Sequence, residues 1–368
     1  MVRRSHRVRD VAEQAGLSTA TVDRVLHARP GVSARAVRAV ETALAELDRQ
    51  ASAVHLSHRS LVVDVVLDAP GRFRAAVHDA AREAVGMLGA ATVRARFHDV
   101  EGATPRALAH LVDGLGSGGR VSHGILLKAP DDEHVGAAVR RALDRGLPTV
   151  TLVTDIASCG RVAYAGLDNA AAGATAAYLL GHLAGRRPGV VLATLSHRTF
   201  RGERERLAAF EARFAVAAPG LAVVLVGDLR GEDEATERAV TNALEHGAPV
   251  AGVYSMGGGN TGVVRALAAA GAEGVPFVAH DLDADNLTLL RTGAITAVLH
   301  HDLRTDLRSA LTQLLRAHRL VPGAPTTVRS APQVVTPWNI PPRLGGRAAA
   351  DAGAEGAADG PRPATGGS

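Results

Sequence analysis

Apolar positions change their period along this 368-residue chain. Between residues 7 and 50 they recur at helical spacing. Val8, Val11, Ala12 and Ala15 share one face of a first helix, which Gly16 stops. Ser18 is placed to cap a second helix that turns Val22, Val25 and Leu26 inward. Ala28-Arg29-Pro30-Gly31 reads as a turn. Ser33 can cap a third helix, in which Val37, Val40, Leu44 and Leu47 follow a 3,4,3 spacing. From Leu61 onward short apolar runs alternate with amphipathic stretches. Strands are expected over 61–67, 92–97, 124–128, 149–153 and 162–165, then over 190–195, 222–226, 250–255, 276–280 and 294–300. Helical stretches such as 75–88, 133–145 and 235–246 lie between them. This alternation predicts parallel sheets with crossover helices. The ten strands divide around the GRRPG stretch at 185–189, so the body, 61–341, is expected as two similar α/β subdomains, about 61–168 and 186–300. Residues 51–60 join it to the helical domain of residues 1–50. Past Pro341 periodicity is lost in Gly, Ala, Pro and charge, and 345–368 is expected to be a disordered tail.

Composition narrows the class. Hydrophobic residues at 46% and charged residues at 21% are those of a globular protein. No apolar run approaches the ~18 residues of a membrane helix, so no membrane partner is expected. The basic start, MVRRSHRVRD, leads into charge rather than into an apolar signal segment. Cys159 is the single cysteine, which excludes an internal disulfide, and the cytoplasm is the expected compartment. Charge is distributed unevenly. Residues 1–60 hold ten arginines against six carboxylates, an excess equal to the formal +4 of the whole chain. A basic module on a neutral body implies a polyanion partner at one end. Lys128 is the only lysine, which reads as genome composition rather than function.

The segment 8–27, VRDVAEQAGLSTATVDRVLH, has the layout of a helix-turn-helix. Gly16 permits the left-handed backbone of the tight turn, and the second helix exposes Thr19, Ala20, Thr21 and Arg24 on its polar side. A short polar helix of this kind fits the major groove of double-stranded DNA with its first residues at base edges. Ser18, Thr21, Ser33 and Arg35 suit phosphate contacts, which position a protein without reading sequence.

These residues resemble the lac-repressor (LacI/GalR) family of bacterial transcription factors. The resemblance is carried by Asp10-Val-Ala-Glu-Gln-Ala-Gly16, Leu17-Ser18, Thr21-Val22, Arg24-Val25-Leu26, Val32-Ser33 and the helix to Leu47. It implies that Thr19 and Ala20 read bases. Asp23 stands where the family usually has Ser, and His27, placed among the DNA-binding residues, where it usually has Asn. After Leu47 the family's Tyr and Pro are absent, so the hinge at 51–60 is atypical and minor-groove wedging is not expected of it. For the body, the resemblance implies a periplasmic-binding-protein-like pair of α/β subdomains closing over a small ligand.

Sites in open α/β sheets lie at the carboxyl ends of strands. Asp68 and Asp155 end the first and fourth strands, where each could bind ligand or only cap a helix. The resemblance implies that Phe73 covers a sugar face and that Arg206, in Arg206-Leu-Ala-Ala-Phe210, binds the effector; within the run RGERER the same Arg could be a surface charge. Asp281 and His301 match later polar positions, the last commonly Gln in the family, and Asn260 offers an amide. Carboxylates with Arg suit polyhydroxyl ligands, because charged groups make strong directional bonds to hydroxyls. His301 beside Asp302 lacks the spacing of a metal site, and neither metal nor cofactor is expected.

One motif points elsewhere. Gly257-Gly-Gly-Asn-Thr-Gly262 fits G-x-G-x-x-G between a strand and a helix, with Asp281 nineteen residues beyond it. An NAD(H)-binding sensor or oxidoreductase is therefore the alternative. Against it, the motif falls on the third βα unit of its subdomain, and no acid–base set for hydride chemistry accompanies it. The expectation is a non-enzymatic, DNA-binding regulator, a repressor on family grounds, that senses a sugar or polyol. A single helix-turn-helix reads one half-site, so a homodimer is expected.

Overall fold

A computed structural model of the chain describes residues 6–56, 60–87, 92–157, 159–184, 187–227 and 229–345. The expected tail at 345–368 lies, but for its first residue, outside the described residues, as does the end of the linker at 57–59.

The N-terminal domain is α1 (Val8–Ala15), α2 (Thr19–Leu26) and α3 (Ala34–Leu56). Gly16 ends α1 in the left-handed conformation, φ 64°, where a side chain would be strained. Ser18 caps α2 by accepting the Thr21 N–H at 3.2 Å, and Ser33 accepts that of Ala36 at 3.2 Å. Val11, Ala12, Val22, Val40 and Ala43 form the small core. Helix α3 does not stop near Leu47 but continues to Leu56, because nothing in residues 48–56 breaks a helix.

The body begins with β1 (Ser60–Asp68), α4 (Gly71–Met87), β2 (Thr92–Val100), α5 (Pro105–Gly114), β3 (Gly124–Lys128), α6 (Glu133–Asp144), β4 (Thr149–Leu152) and β5 (Ala163–Leu167). It continues through α7 (Asn169–Leu183), β6 (Val190–Thr194), α8 (Arg201–Ala217), β7 (Ala222–Val226), α9 (Asp233–His246) and β8 (Val250–Ser255). Then come α10 (Asn260–Ala269), β9 (Phe277–His280), α11 (Ala284–Arg291), β10 (Ala297–His300), α12 (Leu303–Ala317), β11 (Val328–Ser330) and β12 (Gln333–Val335).

Two six-stranded sheets result, ordered β11-β5-β4-β3-β1-β2 and β12-β10-β9-β8-β6-β7. All pairings are parallel except β12 on β10. Strands such as β3 are buried along their whole length, as parallel strands sandwiched between helix layers must be. The chain passes between subdomains three times. Helix α7 packs Ala172, Ala176 and Leu180 under the second sheet. Helix α12 returns Leu307, Leu311 and Leu314 to the first. Strands β11 and β12, joined through residues 331–332, then extend one sheet each. These two strands have no counterpart among the expected ten. At three residues each, and without a long apolar run, they exist through backbone pairing to a preformed edge.

Candidate functional site

In the N-terminal domain the exposed face of α2 carries Thr19, Ala20 and Arg24, with Thr21 partly covered. Ser18, His27, Ser33 and Arg35 flank it in solvent. Asp23, the carboxylate that departs from the family pattern, lies 2.9 Å from His27 Nδ1 and 3.5 Å from Arg29, not beside Arg24. Its charge is thus partly neutralised within the domain, and Arg24 makes no ion pair among the described residues.

The second site is a cleft between the subdomains, about 740 Å³ with its open mouth. The carboxyl ends of strands bring Lys128, Thr154, His280 and Asp281 to it, the first turn of α4 brings Phe73, and the first two turns of α8 bring Glu203 and Arg206. Glu203, Arg206 and Phe210 follow at i, i+3 and i+7 along α8, so the polar pair opens on the cleft while Phe210 is buried in the core behind it. The lips are bridged across the gap: the Gly202 N–H donates to Thr154 Oγ1 at 3.0 Å, and Arg204 reaches Asp131 at 2.5 Å.

Lys128 is buried, its ammonium donating to the Asp68 carbonyl at 2.7 Å and lying 3.9 Å from the ring centre of Phe200 and 5.6 Å from that of Phe73. Burial pulls its pKa down to about 8, resisted by nearby carboxylates. Glu203 accepts the N–H groups of Ser196 and His197 at 2.8 and 3.2 Å. Burial pushes its pKa up to about 7 despite Arg206 and those two bonds. Arg206, 4% exposed, donates Nε to Asn169 Oδ1 and Nη1 to the Met256 carbonyl, both at 2.8 Å. Burial and the Arg206 charge keep His280 neutral, with its Nε2 2.8 Å from the Tyr254 hydroxyl.

Asp281 occupies left-handed backbone, φ 63°, which Asp tolerates better than most side chains. Asn286 pins that turn by donating to the carbonyls of His280 and Asp281 at 2.8 and 2.7 Å. His301 Nε2 lies 3.3 Å from Asp281, and its Nδ1 meets Asp306. Burial alone would strip the His301 proton, but the two flanking carboxylates push its pKa up to about 9. The charged His301 in turn holds Asp281 well below the usual carboxylate range, against the effect of burial.

Of the expected effector residues, Phe73, Arg206 and Asp281 meet on the cleft. The other four lie off its lining. Asp68 turns its carboxylate to the Gly102 N–H at 3.0 Å. Asp155 is taken by Arg161, Thr151 and the Ile156 N–H. Asn260 donates to Asn286 at 2.7 Å from the start of α10. His301 stands behind Asp281 as its positioning partner. Lys128, Glu203 and His280 escaped the sequence reading. Lys128 was legible only as the one charge closing the apolar run GILLK, and nothing local singles out the others.

The glycine motif has a packing explanation. A Cβ on Gly257 would stand 2.8 Å from the Ser196 Cβ, on Gly259 (φ 82°) 2.9 Å from that of Thr236, and on Gly262 2.9 Å from the Asp233 carbonyl carbon. The Gly258 N–H is already donated to Ser196 Oγ at 3.0 Å. The motif seats α10 against α9 rather than leaving an open phosphate cradle, which removes the ground for the NAD(H) reading. Among the described residues no group of three or more His, Cys, Asp or Glu is disposed to hold a metal, and no helix is long and apolar enough to cross a membrane.

Comparison with known proteins bears on both sites. Residues 63–317 match the periplasmic binding protein domain, and residues 7–50 match the bacterial regulatory proteins of the lacI family. No curated protein shows a significant sequence match. Among solved structures, a solute-binding protein of an ABC transporter from Burkholderia graminis C4D1M, in complex with D-arabinose, is similar at 23% identity and a TM-score of 0.69, over 78% of this chain and 98% of that one. GanP, a glucose-galactose binding protein from Geobacillus stearothermophilus, is similar at 17% identity and a TM-score of 0.67, over 77% and 99%. A LacI transcriptional regulator assigned in Bacteroides fragilis is similar at 14% identity and a TM-score of 0.66, over 76% and 98%. With a helix-turn-helix joined to a cleft of two parallel-sheet subdomains, the chain belongs to the lacI family of bacterial regulatory proteins, its body a periplasmic binding protein domain.

Proposed function

We propose that this regulator is a homodimeric repressor whose cleft takes a small polyhydroxylated effector, a sugar or polyol. The observation that carries the reading is the convergence of Arg206, Asp281 and Phe73 on one cleft formed by both subdomains. Charged donors and acceptors bind hydroxyls directionally, and an aromatic ring covers an apolar C–H face. The fold neighbours that carry D-arabinose or are named for glucose and galactose support the same ligand class. Ligand bound more tightly in one arrangement of the subdomains shifts the population toward it, and through α3 changes the spacing of two heads on DNA. Thr19 and Ala20 are the proposed base-reading residues, with Ser18, Thr21, Arg24, His27, Ser33 and Arg35 supporting them at the groove and on phosphates.

The test is selection of duplexes from a randomised pool by the full chain, followed by titration of the selected DNA with salt and with a sugar and polyol panel. Enrichment of paired half-sites, a steep loss of affinity with salt and release by one compound are expected. A pool that stays random, or an affinity flat in salt, refutes the DNA role.

A further inference from the structure

The polar groups of the cleft are matched unevenly. Its carboxylates already have donors from the protein: Glu203 accepts two backbone N–H groups, Asp281 lies against His301, and Asp283 accepts the Asn286 N–H at 2.8 Å as the cap of α11. Its cations have no such match. Lys128 is buried on a backbone carbonyl and two aromatic rings, and makes no ion pair among the described residues. Arg206 is buried on a side-chain amide and a backbone carbonyl, again without a carboxylate in contact. Arg230, exposed at the rim, also makes no ion pair among the described residues. His280, 1% exposed, lines the same space with Nδ1 unpartnered. Buried charge with no opposite charge in contact is costly, and the carboxylates near Lys128 and Arg206 offset that cost only from a distance. A ligand that brings negative charge relieves that cost at Lys128 and Arg206, whereas a neutral sugar offers them only hydroxyl dipoles.

Resting on the reading of this cleft as the effector site, we propose that the effector is an anion, a polyhydroxylated carbon frame bearing a carboxylate or phosphate seated between Lys128 and Arg206. Arg206 retains donors for a charge-assisted pair with either group, and Lys128 adds a point charge. Asp281 is left to accept the hydroxyls of the frame, and His280 Nδ1 gains the partner it lacks.

Calorimetric titration of the full chain with matched sets decides the matter: D-galactose, D-galactonate and D-galactose 6-phosphate, then D-arabinose, D-arabinonate and D-arabinose 5-phosphate. At least one acid or phosphate should bind ten-fold or more tightly than its neutral parent, and comparison of the two anionic arms assigns the source of the charge. Lys128→Met should erase the preference, and Lys128→Arg should retain it. If neutral parents bind as tightly as their acids, the anionic effector is refuted while the cleft remains an effector site. If no compound binds, or if binding is unchanged in Arg206→Ala, the cleft reading falls and the anion with it.

Discussion

Gly173 lies where α7 presses on α8, the helix that presents Glu203 and Arg206 to the cleft. A Cβ there would stand 2.9 Å from the Arg206 carbonyl carbon, 3.1 Å from its Cα and closer still to its carbonyl oxygen. Ordinary contact begins near 3.4 Å. Because the obstacle is backbone on both sides, no rotamer change relieves it, and Gly173→Ala must push the helices apart. Overpacking of a core costs about 1–3 kcal/mol, which for a body of this size lowers the melting midpoint by roughly 2–6 °C. The same displacement moves Arg206 relative to Asn169 and the Met256 carbonyl. A hydrogen bond to a charged group is worth about 1.5–3 kcal/mol, so effector affinity should fall roughly ten- to hundred-fold. Thermal unfolding with and without effector gives both quantities, and DNA affinity without effector serves as control, since the substitution lies far from the helix-turn-helix. An unchanged midpoint with unchanged effector affinity would refute the close-packing account of α7 and α8.

Other consequences are equally direct. His301 has its pKa raised to about 9 from an ordinary 6.5, so its contribution to stability is complete below about pH 6.5 and is lost as pH rises through about 9. The gap in urea midpoint between the native chain and His301→Gln should therefore be wider at pH 6 than at pH 9.5; an equal gap at both would sink the assignment. Ser18→Ala removes the acceptor of the Thr21 N–H and should cost about 1 kcal/mol of helix stability. It should weaken DNA binding severalfold in an anisotropy titration while leaving effector affinity alone. Gly262→Ala should lower the melting midpoint of the ligand-free chain, because its Cβ would meet the backbone of α9; indifference of the ligand-free chain would return the motif to a binding role.

What was legible in the sequence is what short stretches of chain decide by themselves. Gly16 and Ser18 bound their helices through backbone conformation and a cap three residues away, so the N-terminal domain could be read residue by residue. Strand runs such as 124–128 and 250–255 announced themselves because both faces of a parallel strand are buried. Arg206 and Asp281 were found through their resemblance to a family pattern, not through any local necessity. The third helix outran its expected end, and β11 and β12 were invisible, since three residues with no apolar periodicity become strands only when an edge awaits them.

The chemistry of the cleft belonged to the tertiary structure alone. Asp155 and Asp281 both follow strands, yet one is consumed by Arg161 and the other is poised by His301 and Asn286, through partners 5 to 20 residues away that no spacing rule identifies. Lys128 is an isolated lysine in the sequence; in the fold it becomes a buried ammonium between two phenylalanine rings, facing an arginine more than seventy residues further on. Sequence sets the propensity of each segment, but which charges share one poorly hydrated space depends on crossovers that join distant strand ends, and there burial, not residue type, sets protonation and unmet bonding capacity.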